Sequence, residues 1–99
     1  MRLDSDVVSR LVLEMRTVFG EQAELWLFGS RVDDQARGGD IDLYIETDDD
    51  GRLLDRRLDF LLRLSSIFGD QKVDLVIRSR NRPLAPIHRI ARKRGIKLN

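Results

Sequence analysis

Between residues 5 and 19 the apolar positions Val8, Leu11, Val12, Met15, Val18 and Phe19 recur at helical steps, the mark of a helix with one buried stripe. Asp4 or Ser5 can cap its start and Gly20 can end it, so the pattern predicts a helix from about Ser5 to Phe19. Leu25-Trp26-Leu27-Phe28 is a short apolar run that stops at Gly29-Ser30. A run of that length before glycine predicts a buried strand. The polar stretch Arg31 to Gly39 ends in a glycine pair and predicts a loop. From Asp40 to Glu46 the chain alternates, with Ile41, Leu43 and Ile45 pointing one way and Asp40, Asp42 and Tyr44 the other. That is a strand with one buried face.

Asp48-Asp49-Asp50-Gly51 is turn chemistry. A second helix follows over about Leu53 to Phe68, with Leu54, Leu58, Leu61, Leu62 and Phe68 as its expected buried stripe. Leu53, Phe60, Leu64 and Ile67 widen that stripe, and Gly69-Asp70 stops the helix. Lys72 to Ile77 predicts a third strand, Val73, Leu75 and Ile77 on one face and Asp74 and Val76 on the other. Pro83 and Pro86 lead into a short basic helix near Ile87–Arg94, for which Ile87, Ile90 and Ala91 supply an apolar seam. Gly95 ends it, and Ile96-Lys97-Leu98 predicts a last extended segment. The order is that of an α/β (α+β) domain, a small mixed β-sheet with helices mainly on one face. Ninety-nine residues suit a single domain over 1–99.

Composition narrows the class. Hydrophobic residues at 41% and charged residues at 35% fit a globular chain rather than a disordered one. No apolar run approaches the ~20 residues that span a bilayer. Charges interrupt the N-terminal segment, unlike a signal peptide, and cysteine is absent, so disulfides and thiolate metal sites are excluded. These features lead us to expect a cytoplasmic protein. The net charge of +1 conceals an asymmetry: residues 1–74 hold 10 bases and 17 acids, a formal −7, while residues 75–99 carry +8. The basic end can serve phosphate, an acidic partner or the chain's own acidic half.

Candidate chemistry lies on the polar side of the strands. Asp40 and Asp42, two apart, emerge on one side of their strand. Asp74 lies opposite its apolar neighbours on the next strand in sequence. If the two strands are adjacent, three carboxylates converge. Two such charges about 5 Å apart repel by roughly 3 kcal/mol at an effective dielectric near 20, which a raised pKa or a bound cation would relieve. Carboxylate oxygens suit Mg²⁺ or Mn²⁺, and a cluster of them can hold the two-metal centre used in phosphoryl displacement. Gly29-Ser30, at the end of the preceding strand, lets backbone N–H groups and a hydroxyl approach a phosphate.

The segment LFGSRVDDQARGGDIDLYIE, residues 27–46, resembles the signature of the minimal nucleotidyltransferases of the DNA polymerase β superfamily: an apolar residue, Gly-Ser, a spacer, then D-x-D between apolar positions. VDLVI, residues 73–77, is similar to the strand that supplies that family's third carboxylate. Many members have Ser where Gly39 stands. The resemblance spans nearly the whole chain and implies a polymerase β-like nucleotidyltransferase fold. It further implies that Asp40 and Asp42 ligate two Mg²⁺ ions and that Asp74 completes the one activating the acceptor hydroxyl. Gly29 and Ser30 would bind the β- and γ-phosphates, with Arg31 a further phosphate contact. The reaction would be attack on the α-phosphorus with departure of pyrophosphate.

Stand-alone domains with this pattern resemble antitoxins that transfer AMP from ATP to a tyrosine of a HEPN-domain ribonuclease toxin encoded by an adjacent gene. Two rival readings are a non-catalytic antitoxin that blocks its toxin by binding, and an enzyme acting on a small hydroxylated molecule. Direct nucleic-acid binding has little aromatic support. Arg37 reads as a surface charge, His88 as a surface or partly packed residue, Tyr44 as a packing residue on the carboxylate face and Trp26 as core.

Overall fold

The computed structural model describes residues 5–28, 41–48 and 51–99. Its elements run α1 (Ser5–Phe19), β1 (Glu24–Phe28), β2 (Ile41–Thr47), α2 (Leu53–Phe68), β3 (Val73–Ser79), α3 (Pro86–Arg94) and β4 (Ile96–Lys97). Both long helices begin and end where the periodicity places them. The expected loop Arg31–Gly39, and with it Arg37, lies outside the described residues, as do Gly29, Ser30, Arg31 and Asp40.

The strands form one mixed sheet in the order β3-β2-β1-β4. β1 pairs antiparallel with β2 and β4, and β2 pairs parallel with β3 through the crossover helix α2. A parallel pair needs such a crossover. Gly20, at φ 110, takes a left-handed turn that a side chain would strain, and its N–H closes α1 on the Arg16 carbonyl at 2.9 Å. The short β4 is prolonged by Asn99, whose amide accepts from the Leu25 N–H at 2.8 Å and donates to the Ala23 carbonyl at 3.0 Å.

Each face of the sheet carries its own apolar cluster. On one, α1 and α2 bury Leu11, Met15, Phe19, Phe60 and Leu64 against Leu25, Leu27, Ile41, Leu43, Ile45 and Leu75. Phe19 and Phe60 meet edge to face at 5.5 Å, a favoured aromatic geometry. On the other, α3 packs Ala91 against Trp26 and Tyr44, flanked by Phe28 and Val76. Arg57 donates to the Leu75 carbonyl at 2.6 Å, blunting part of the open edge of β3. No helix among the described residues is long and apolar enough to cross a membrane.

Two apolar patterns resolve differently from the sequence expectation. In α2 the inward side is Phe60 and Leu64, while Leu54, Leu58 and Leu62 are 69%, 54% and 74% exposed. Leucines surround most of this helix, so periodicity could not choose a side. α1 decides it, bonding α2 through Arg63–Glu14 and Arg10–Ser66. In α3 only Ala91 is buried; Ile87 and Ile90 are 49% and 52% exposed, because a nine-residue helix lies on a sheet face already occupied by large aromatic and charged side chains.

Candidate active site

Pairing of β2 with β3 sets Asp42 directly opposite Asp74, with Leu43 opposite Leu75 and Tyr44 opposite Val76. Leu43 and Leu75 belong to the α1/α2 core, so the alternation of a strand sends Asp42 and Asp74 to the other face. Neighbouring strands are about 4.8 Å apart, which sets the two carboxylates side by side. Asp42 is half-buried and the Asp74 side chain is 46% exposed. Lys72 Nζ lies 3.8 Å from Asp74 Oδ1 across exposed surface, a pairing worth under about 1 kcal/mol. Among the described residues no group of three or more His, Cys, Asp or Glu side chains is gathered to hold a metal. The Asp42–Asp74 pair is their contribution, and two facing carboxylates are a hard-oxygen donor set that fits a divalent cation such as Mg²⁺.

The rest of this sheet face has a different character. Tyr44 is fully buried, and its hydroxyl donates to Glu46 Oε2 at 2.5 Å. Burial, then this hydrogen bond, pushes the phenol well above its ordinary range. The Glu46 side chain is only 4% exposed and is ringed by Arg78 at 3.3 Å, Arg92 at 3.5 Å and Arg80 at 3.8 Å. Arg80 also binds Glu24 at 2.5 Å and Asp48 at 3.0 Å. Lys97 pairs with Glu24, which holds that carboxyl below its usual range, with Arg80 assisting and burial opposing. Arg92 and Lys97 lie over the Trp26 ring at 6.0 and 5.8 Å, a cation–π arrangement. His88 stacks on Tyr44 at 5.6 Å, and its Nδ1 accepts from the Ala85 N–H at 3.0 Å. Burial lowers the His88 pKa and Arg78 lowers it further, against an opposing pull from Glu46.

The face is therefore divided along its strands. Glu46 stands four residues along β2 from Asp42, about 13 Å away, inside a closed cluster of guanidinium groups. That end anchors α3 and β4 to the sheet, and it absorbs Arg78, Arg80, Arg92 and Lys97 from the basic segment. At the other end, Asp74 pairs with Lys72 across exposed surface. A buried, arginine-bound carboxylate and a facing pair of more exposed carboxylates are thus sorted to opposite ends of one surface.

Of the residues singled out by sequence, Asp42 and Asp74 are brought together. Tyr44 and Trp26 pack as read, and His88 is partly packed. The Glu46 cluster was missed. Its signal was present: Glu46 continues the alternation of Asp42 and Tyr44, and Arg78 continues that of Asp74 and Val76.

No curated protein matches the chain. The profile of the family described as polymerase beta, nucleotidyltransferase, matches residues 17–97, a span that contains all four strands and both facing aspartates. The chain belongs to the polymerase beta nucleotidyltransferase family, and its class of activity is nucleotidyl transfer.

Proposed function

We propose that this protein transfers AMP from ATP to a hydroxyl acceptor, a tyrosine of a HEPN-domain ribonuclease toxin encoded by an adjacent gene, and so acts as an antitoxin. The observation that carries the catalytic part is the facing of Asp42 and Asp74 on the sheet face turned away from the main core. Family membership supports the reaction class. The acceptor rests on the resemblance of the GSR…GGDIDL segment to stand-alone antitoxin domains.

In this reading Asp42 and Asp74, together with Asp40, hold Mg²⁺. The bound ion would supply positive charge against the phosphates. The acceptor oxygen forms a bond to the α-phosphorus, the bond from that phosphorus to the bridging oxygen breaks, and pyrophosphate leaves with the electron pair. The hydroxyl proton passes to Asp74, directly or through water. Gly29, Ser30 and Arg31 contact the departing phosphates. The protein's cytoplasmic location belongs to the same proposal.

Incubating the purified protein with Mg-ATP and the adjacent gene's product should raise that product's mass by one AMP, at tyrosine. Asp74→Asn should lower the rate by about a hundredfold or more while leaving the melting temperature unchanged or higher, since one of two facing charges is removed. An unchanged partner mass refutes the acceptor. An Asp74→Asn protein that transfers at the wild-type rate refutes the site. Neutralisation of the toxin by Asp42→Ala at wild-type strength would favour blocking by binding alone.

A further inference from the structure

The sheet face that carries Asp42 and Asp74 is ordered in rows running across its strands. Register places Phe28, Asp42 and Asp74 in one row, Trp26, Tyr44 and Val76 in the next, and Glu24, Glu46 and Arg78 in the third. Successive rows are about 6.5 Å apart. α3 rests on the middle row, with Ala91 buried against Trp26 and Tyr44 and His88 stacked on Tyr44. Its two flanks therefore overlook different chemistry.

Helical geometry assigns the flanks. Successive residues of a helix are turned by about 100°. Arg92 thus stands about 100° round from Ala91 on one side, and Arg94 about 60° round on the other. Arg92 reaches Glu46 at 3.5 Å, so its flank is that of the third row. Arg94 falls on the flank of the Phe28–Asp42–Asp74 row. The end of α3 lies at the β1 side of that row, since a Cβ added at Gly95 would stand 3.3 Å from Phe28 Cβ. Arg78, Arg80 and Arg92 are committed to Glu46, and Lys97 to Glu24. Arg94 is exposed and enters no ion pair among the described residues.

We infer that Arg94 binds the β- and γ-phosphates of the nucleotide and holds the pyrophosphate as it leaves. The inference rests on the nucleotidyl-transfer reading of Asp42 and Asp74. There Asp74, on β3, takes the acceptor's proton, so the acceptor oxygen enters from the β3 side. In-line displacement sends the leaving group the opposite way, toward Phe28 on β1, where α3 ends. As the bond from the α-phosphorus to the bridging oxygen breaks, its electron pair goes to pyrophosphate. A guanidinium offsets that charge through a fork of two N–H groups; Arg94 gives up no proton. A cation in the last turn also suits the helix dipole, but Arg92 and Lys93 share that role. Lys93, about 160° round from Ala91, is directed away from the sheet and serves as the control for charge alone.

Calorimetric titration of the full chain with Mg-pyrophosphate and with Mg-ATP tests the assignment without any acceptor present. Arg94→Ala should weaken both by roughly ten- to a hundredfold, with an unchanged melting temperature. Lys93→Ala, which removes the same charge, should bind both as the wild type does. Arg94→Lys, which keeps the charge and loses the fork, should recover part of the affinity, and it decides the matter if the alanine variant fails to fold. Wild-type affinity in Arg94→Ala, or an equal loss in Lys93→Ala, would overturn the inference while leaving the aspartate site standing. Mg-ATP affinity that does not respond to Asp42→Ala would overturn the site, and the role of Arg94 with it.

Discussion

Glu46 offers the sharpest test of how this sheet face is held together. Replacing it by Ala takes the acceptor from the Tyr44 hydroxyl, which is fully buried. An orphaned buried hydroxyl costs about 1–3 kcal/mol. Arg78, whose side chain is 12% exposed, loses its carboxylate and keeps, among the described residues, the Arg82 carbonyl at 2.9 Å. Arg80 retains Glu24 and Asp48, and Arg92 is half exposed, so neither adds much. Breaking one partner out of a buried ionic cluster costs about 3–5 kcal/mol in total, a large part of the roughly 5–15 kcal/mol expected for a whole domain.

Urea unfolding followed by Trp26 fluorescence is the natural assay, since this is the chain's sole tryptophan and its ring lies 5.2 Å from that of Tyr44. Glu46→Gln, which keeps the shape and an acceptor, should lose only about 1–3 kcal/mol. A double-mutant cycle with Tyr44→Phe should show coupling of about 1 kcal/mol. A loss below about 1 kcal/mol for Glu46→Ala would refute the assignment of Glu46 as the anchor.

Three further outcomes are expected. Because the phenol of Tyr44, the one tyrosine, is pushed up by burial and by Glu46, the stability it confers is complete below about pH 10 and is lost as pH climbs above it. Phenolate absorbance should therefore appear together with loss of circular dichroism; phenolate in a folded protein near pH 10 would contradict this. His88, the one histidine, should titrate by NMR below its ordinary range near 6.5. Its contribution to stability is present above that value and fades as pH falls. Glu46→Gln should depress the midpoint further, since Glu46 is the group pulling it upward, and an upward move would show the stated balance of charges to be wrong. Asn99→Ala removes its bonds to Leu25 of β1 and to Ala23 just before that strand and should cost about 1–2 kcal/mol, with faster hydrogen exchange at the Leu25 amide; unchanged exchange there would mean that Asn99 does not hold the edge.

The sequence was most legible where periodicity and punctuation agreed. Ser5–Phe19 and Leu53–Phe68 each end at a glycine, and their bounds follow. Alternation in 41–46 and 73–77 assigned the inward and outward faces of two strands correctly, which is why the facing of Asp42 and Asp74 could be anticipated. It depended on adjacency of β2 and β3, which no local pattern contains. Periodicity failed on α2, where too many leucines left the inward side to be chosen by α1. It also failed to foresee that Glu46, an acid at a strand's end, would be buried: three arginines drawn from β3, the following turn and α3 make that burial tolerable, and their convergence is a property of the folded chain alone.

The sequestered hydroxyl of Tyr44 has a bearing on self-modification. A catalyst that places AMP on tyrosines in trans would, if it displayed one of its own, be consuming nucleotide on itself. Here the lone phenol is sealed beneath His88 and committed as a donor to Glu46, so for a tyrosine-directed transferase the chain presents no substrate to a neighbouring copy while it remains folded.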